Sequence, residues 1–273
     1  MGFESPPLQF HKQRTMIELD TIYNEDCLQG MQRIPDGTID AVICDLPYEV
    51  LNDKNPDAQW DKVIPFDKLW EQYERIVKPN APIVLFAQGM FTADLMHSNR
   101  KWWRYNLVWD KVRTTGFLNA RKQPLRCHED IVVFCKGTPT YNPQMVKCLP
   151  HQRNHSRGKQ QGEQTNRCYG QLNKPEDIIS DEKYPRSIIV SSKKISTDGK
   201  LHPTQKPVDL CRWLIRTYSS ENDIILDNCA GSGSTLVACI NEERHFIGFE
   251  LSKEYFDKAQ RRIKAEQAQL TLW

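Results

Sequence analysis

The chain has 273 residues, a formal net charge of +2 and 26% charged residues, so it can bury a large core, and its overall charge does not demand a polyanionic partner. No apolar run reaches membrane-spanning length, and the polar start MGFESPPLQFHKQRT has no apolar centre of the kind a secretion signal carries. The nine cysteines are scattered with no Cys-x-x-Cys pair, so a soluble cytoplasmic protein with reduced, mostly buried thiols is expected.

In chain order, the first strong element is 39–45, IDAVICD, an apolar run that reads as a buried strand and ends in an acid. A turn, Leu46-Pro47-Tyr48, follows. In 66–78 the residues Phe66, Leu69, Trp70, Tyr73, Ile76 and Val77 recur at helical spacing until Pro79 stops the run. The stretch 82–87, PIVLFA, is a second buried strand. Between Arg100 and Arg126 there are eight Lys/Arg against one acid, interleaved with Trp102, Trp103, Tyr105, Trp109 and Phe117. Basic and aromatic residues together suit a phosphate backbone and stacked bases; the plainer reading is a solvated basic face over a partly buried helix and strand. A third strand is expected at 130–135, DIVVFC.

Residues 138–201 break the pattern. They are rich in Gln, Asn, Ser, Lys and Pro, and only 187–192, SIIVSS, reads as a strand. This is an insertion on the core, with a mobile loop expected near 152–168. Within it Cys148, His151, His155 and Cys168 are ligand types that zinc accepts, but their spacing is loose and no metal is assigned. Beyond it come a helix at 208–218 led by Pro207, strands at 223–227 and 245–250, and a helix at 252–266 with Ser252 as its N-cap. Non-alternating strands interleaved with helices define an α/β protein with a parallel sheet covered on both faces.

A second strand also ends in an acid. In ILDNCAGSGSTLVAC, Asp227 closes the strand, Gly231 and Gly233 allow a tight turn, and a helix begins near Ser234-Thr235. The next strand ends at Glu250, where an acid can hold the ribose hydroxyls of an adenosine-bearing cofactor. There is no Walker lysine, and Leu236 replaces the third glycine of a dinucleotide fingerprint, which argues against both ATP and NAD.

The order DLPY (45–48), HPTQKP (202–207), DNCAGSGST (227–235) resembles the beta class of DNA amino-methyltransferases, from NEDCLQGM at 24–31 to EYFDKAQRRI at 254–263. The resemblance implies a seven-stranded, mostly parallel sheet in circularly permuted class I methyltransferase order. It makes 1–137 and 202–273 the catalytic and cofactor-binding domain, and 138–201 a target-recognition insertion. It implies S-adenosylmethionine as cofactor and double-stranded DNA as substrate, with a second copy of the chain and a cognate restriction enzyme as further partners of the class, and no membrane.

The same resemblance assigns roles. Asp45 supplies a carboxylate to the target amine and Leu46 a carbonyl; Pro47 completes the catalytic tetrapeptide and Tyr48 stacks on an extruded base. Around the cofactor it places Asp26 and Cys27 by the adenine, Thr204 and Lys206 over the methionine end, and Asp45, Asp227, Asn228, Gly231, Gly233, Ser234 and Glu250 along the rest. Trp109 and Lys111 fall near the target base or the DNA, with Arg113, Arg121, Lys122 and Arg126 on DNA. His128 and Glu129 are read as ordering the sheet edge rather than reacting. Leu46 departs from the proline most common in the class. Asp at the first position favours adenine N6 as target over cytosine N4, which uses the same chemistry. A catalytically silent DNA-binding subunit and a protein-glutamine methyltransferase are the rival readings; in the latter the cofactor motif comes first.

Overall fold

The computed structural model describes residues 17–48, 62–147, 181–191 and 205–270. Its first half carries β1 (Thr21–Tyr23), α1 (Cys27–Met31), β2 (Ala41–Cys44), α2 (Phe66–Ile76), β3 (Ile83–Ala87), α3 (Met90–Ser98), β4 (Trp103–Thr115) and β5 (Arg126–Phe134). Then follow β6 (Val146–Lys147), β7 (Glu182–Lys183), β8 (Ile188–Val190), α4 (Val208–Tyr218), β9 (Ile224–Asp227), α5 (Ser234–Asn241), β10 (His245–Phe249) and α6 (Lys253–Leu270).

Eight strands form one sheet in the order β1-β10-β9-β2-β3-β5-β4-β8, and only β5 runs against the rest. β2 lies near the middle and all four of its side chains are fully buried. Strand side chains alternate between faces. Val42 and Cys44 therefore pack with Met31, Leu69, Trp70, Tyr73 and Leu95 of α1, α2 and α3, whereas Ala41 and Ile43 pack with Leu214, Leu236 and Ala259 of α4, α5 and α6. Two covered faces explain why the central strands read as unbroken apolar runs.

The expected strands and helices are present with small shifts at their ends. β1 and α1 are too short to show a period, and α3 has little polar contrast around its axis. The basic stretch 100–126 is one thirteen-residue strand and a turn rather than a helix and a strand. Leu107, Trp109 and Lys111 are its inward positions, and the lysine in the third of them disguises the alternation. The segment 188–190 adds an eighth strand by pairing in parallel with β4, while β6 and β7 form a separate two-stranded ladder. Asn142, at the start of the 138–201 stretch, ties that stretch to α4, donating from its backbone to the Thr217 carbonyl at 2.7 Å. The expected loop at 152–168 and the Cys148, His151, His155 and Cys168 set lie outside the described residues. Among the described residues no group of three or more His, Cys, Asp or Glu side chains could hold a metal ion, and no helix is long and apolar enough to cross a membrane.

Gly30 sets how closely α1 approaches the sheet. A Cβ there would lie 2.2 Å from Cε1 of Phe249, a fully buried side chain of β10. Gly30→Ala is expected to destabilise the fold by about 1–3 kcal/mol through overpacking, read as a lower urea midpoint at unchanged m-value.

Candidate active site

β2 and β9 are adjacent and parallel, so the turns after Cys44 and Asp227 open at the same edge of the sheet although about 180 residues separate them. Between them is a cleft of about 550 Å³. This carboxyl edge is where α/β sheets bind ligands.

One wall carries four charged side chains that alternate in sign. Lys111 Nζ donates to Glu129 Oε1 at 3.0 Å, and Lys206 Nζ lies 3.3 Å from Glu129 Oε2 and 2.6 Å from Asp45 Oδ2. The Tyr48 hydroxyl donates to the other oxygen, Asp45 Oδ1, at 2.5 Å. The Lys206 ammonium also sits over the rings of Phe86 and Tyr48, at 5.0 Å and 5.8 Å from their centroids. Burial alone would strip the charge from Lys206, but Asp45 and Glu129 outweigh it and hold its pKa above the usual lysine value. Burial likewise opposes the charge on Glu129, yet Lys206 and Lys111 prevail and hold its carboxyl below the usual range. Burial, then Asp45, push the Tyr48 phenol well up, so it stays a donor. Glu129 Oε2 has no aligned hydrogen bond; among the described residues it is the one such buried side-chain atom.

The other wall is the Gly-rich turn and α1. Glu250 accepts from Gly231 N at 2.7 Å and from Ser252 N at 2.8 Å, and burial raises its carboxyl above the ordinary value. Burial pushes Asp227 up to about 7, while its Oδ1 accepts from Cys229 N at 3.2 Å. Asn228 is fixed by the hydroxyl of Tyr73, which donates to its Oδ1 at 2.5 Å. Asp26 caps α1 through Gln29 N at 3.1 Å. Asp26, Cys27, Asp227, Asn228, Gly231, Ser234 and Glu250 all line the cleft, as do Asp45, Leu46, Pro47, Tyr48 and Lys206. The seven described cysteines are free thiols.

Gly233 and Trp109 sit away from the cleft, whereas Lys111 lines it. Gly233 does not line the cleft; its φ of 77° turns the chain into α5, and a Cβ there would stand 3.1 Å from the Ala259 Cβ, so the glycine serves the turn and the α6 packing. Trp109 is wholly buried, its indole N–H donating to the Ser191 carbonyl at 2.8 Å, and it offers no surface to DNA. Lys111 faces the cleft and pairs with Glu129. Arg113, Arg121, Lys122 and Arg126 are exposed. Lys206 reaches the Asp45 carboxylate, and Thr204 lies outside the described residues. Glu129, read as an edge residue, sits in the wall of the cleft between the two lysines.

An acid-led turn facing a Gly-rich turn at the carboxyl edge of such a sheet is the arrangement of an amino-methyltransferase. A family model described as DNA methylase, of the N6 and N4 type, matches residues 39–261, and the chain belongs to this family. It is 28% identical to the type II methyltransferase M.BglII of Bacillus subtilis over 95% of the chain and 72% of that relative. It is 26% identical to the type II methyltransferase M.HinfI of Haemophilus influenzae over 90% of the chain and 68% of that relative. Among solved structures it is similar to M1.HpyAVI in complex with SAM, at a TM-score of 0.59 and 25% identity, with 89% of the chain and 98% of that structure covered. The cytosine-N4-specific PvuII DNA methyltransferase shares the fold at a TM-score of 0.65 and 14% identity, with 93% and 92% covered.

Glu129→Gln tests the charged wall. A carboxyl whose folded pKa is depressed adds stability above its unfolded value, near 4.5, and loses it as the pH falls through the folded value. The variant is therefore expected to be less stable at pH 7 by about 3 kcal/mol, as for a broken buried pair. The gap should close progressively below pH ~4.5. Urea unfolding across pH 3.5–7.5 checks both parts, in a range set by the usual Glu value of about 4.3.

Proposed function

We infer that the cleft methylates the N6 amine of an adenine turned out of double-stranded DNA. The observation that carries this reading is the Asp45 carboxylate, held at the sheet edge by Tyr48 and Lys206 in front of the Gly-rich turn. S-adenosylmethionine, the cofactor of this family, supplies an electrophilic methyl group on a sulfonium. The residues present suit it: a cleft of about 550 Å³ is of ordinary size for such a molecule, and one wall combines a buried acid, Glu250, with the Gly231 backbone. Glu250 would hold ribose hydroxyls, and Asp26, Cys27, Asp227, Asn228 and Ser234 would line the remainder.

An exocyclic amine is conjugated into its ring and is a poor nucleophile. Hydrogen bonds from its N–H groups to the Asp45 carboxylate and the Leu46 carbonyl localise its lone pair for attack. Each Asp45 oxygen keeps a second acceptor site beside the bond it already makes. The Tyr48 ring offers a face to the base, because a base must leave the stack to be modified. Positioning and fixed charge carry most of the acceleration. We assign Arg113, Arg121, Lys122 and Arg126 to phosphates and the 138–201 segment to reading sequence, with 1–137 and 202–273 as the catalytic body. The names of the curated relatives support a type II restriction enzyme as a partner in the same cell.

Expression in a methylation-free bacterial host, followed by single-molecule sequencing of its DNA, tests the reading. N6-methyladenine at one short motif is expected. N4-methylcytosine would replace the adenine assignment, and unmodified DNA would remove the reading. Asp45→Ala is expected to abolish the modification while DNA affinity in a gel-shift assay stays close to wild type. Tyr48→Phe should cost about 0.5–1.5 kcal/mol in the barrier, the worth of one hydrogen bond. Tyr48→Ala should cost a further ~1–3 kcal/mol from lost stacking. Equal losses in single-turnover assays would assign the role to the hydroxyl instead of the ring.

A further inference from the structure

The hairpin of β4 and β5 ends in a one-turn helix, Phe117–Asn119, that carries two apolar side chains into solvent. Phe117 is 80% exposed and Leu118 99%, the highest values for large hydrophobic side chains among the described residues. One exposed leucine needs no explanation. Two adjacent ones at the tip of a hairpin, framed by exposed Arg113, Arg121, Lys122 and Arg126, do. The tip is also ordered by its own backbone. Gly116 turns the chain at φ 87°, Asn119 N donates to the Gly116 carbonyl at 2.9 Å, Ala120 N to Phe117 at 3.0 Å and Lys122 N to Asn119 at 2.8 Å.

The position of this tip matters as much as its composition. Lys111, Thr115 and Glu129 of the same hairpin line the catalytic cleft. Phe117 follows Thr115 by two residues, a chain length of at most about 7 Å. The apolar pair therefore stands at the mouth of the site, inside a frame of cations suited to the phosphates on either side of a target base. Rotating a base out of a duplex leaves a gap and an unpaired partner. Proteins that distort DNA frequently insert apolar side chains such as Phe and Leu between base steps.

We propose that Phe117 and Leu118 form a wedge that enters the base stack at the target step and occupies the space the rotated base leaves. The proposal rests on the DNA-methylating reading above. The cations anchor the flanking phosphates, the hairpin delivers the wedge, and Phe117 offers a flat face to the unpaired base.

The test compares wild type with the Phe117→Ala, Leu118→Ala double variant, whose truncated side chains carry little packing. Two duplexes carry the methylated motif found by sequencing, one fully paired and one with an abasic site opposite the target. On the paired duplex the variant's single-turnover rate should fall about 10- to 100-fold, the scale of an unassisted unstacking step. On the abasic duplex, where the target is already loosened, it should return to within about threefold of wild type, and affinity for both duplexes should change no more than about threefold. A 2-aminopurine at the target position should brighten with wild type and much less with the variant. An undiminished rate on paired DNA, or an equal loss on both duplexes, overturns the wedge. So does conversion of a wild-type dimer to monomer in sedimentation, which would make the tip a contact between copies of the chain. If wild type modifies neither duplex, the DNA-methylating reading itself has failed and the wedge falls with it.

Discussion

The alternating row Lys111, Glu129, Lys206 and Asp45 is the constraint on which the site depends. A buried ion is costly unless a partner compensates it, and here each inner charge lies between two of opposite sign. The row joins β4, β5, the segment just before α4 and the end of β2, so four distant parts of the chain must settle before the Asp45 carboxylate has its place. It also explains an apparent oddity of β4, which turns a lysine inward after Leu107 and Trp109. That lysine is the outer counter-charge of the row, and its burial follows from Glu129 rather than from the core.

The opposite wall uses backbone where this wall uses side-chain charge. Glu250 ties the Gly231 turn to the start of α6 through two main-chain N–H groups, and Tyr73 reaches from α2 to hold Asn228. The cleft is thus bordered by one face built from ions and one built from a braced loop. The turns that carry Asp45 and Gly231 follow β2 and β9, strands buried at the middle of the sheet apart from partly buried Ile224, and rigid elements of this kind hold a reacting geometry better than loops do.

Much of this was legible in the residues, and the failures have physical causes. β2, β3, β9 and β10 declared themselves because strands buried on both faces cannot alternate, and the helical stripes of α2, α4 and α6 did so because each has one face in the core. Asp45 and Glu250 were readable as acids at the ends of such strands. Glu129 was not, because its role comes from the two lysines it meets, one 18 and one 77 positions away. Trp109 kept company with cations in the sequence but points into the core. Gly233 reads like a cofactor contact because turn glycines and ligand glycines share one signature, and the Ala259 contact supplies a packing reason for it that the sequence does not show. Tyr73 was recognisable as a core position, with nothing to announce that its hydroxyl would fix a cleft residue.

The strand order carries a consequence for how the molecule comes into being. β9 and β10, near the end of the chain, are inserted between β1 and β2, near its beginning. A ribosome therefore releases the edge of β2 long before the strand that covers it, and β1 waits without a neighbour until β10 emerges. Contacts between such remote segments close slowly and leave strand edges exposed meanwhile. The acid and the Gly-rich turn are thus united only when β9 emerges, and a chain stalled before it would hold the charged wall without the Gly-rich one, beside a sheet still open at β2.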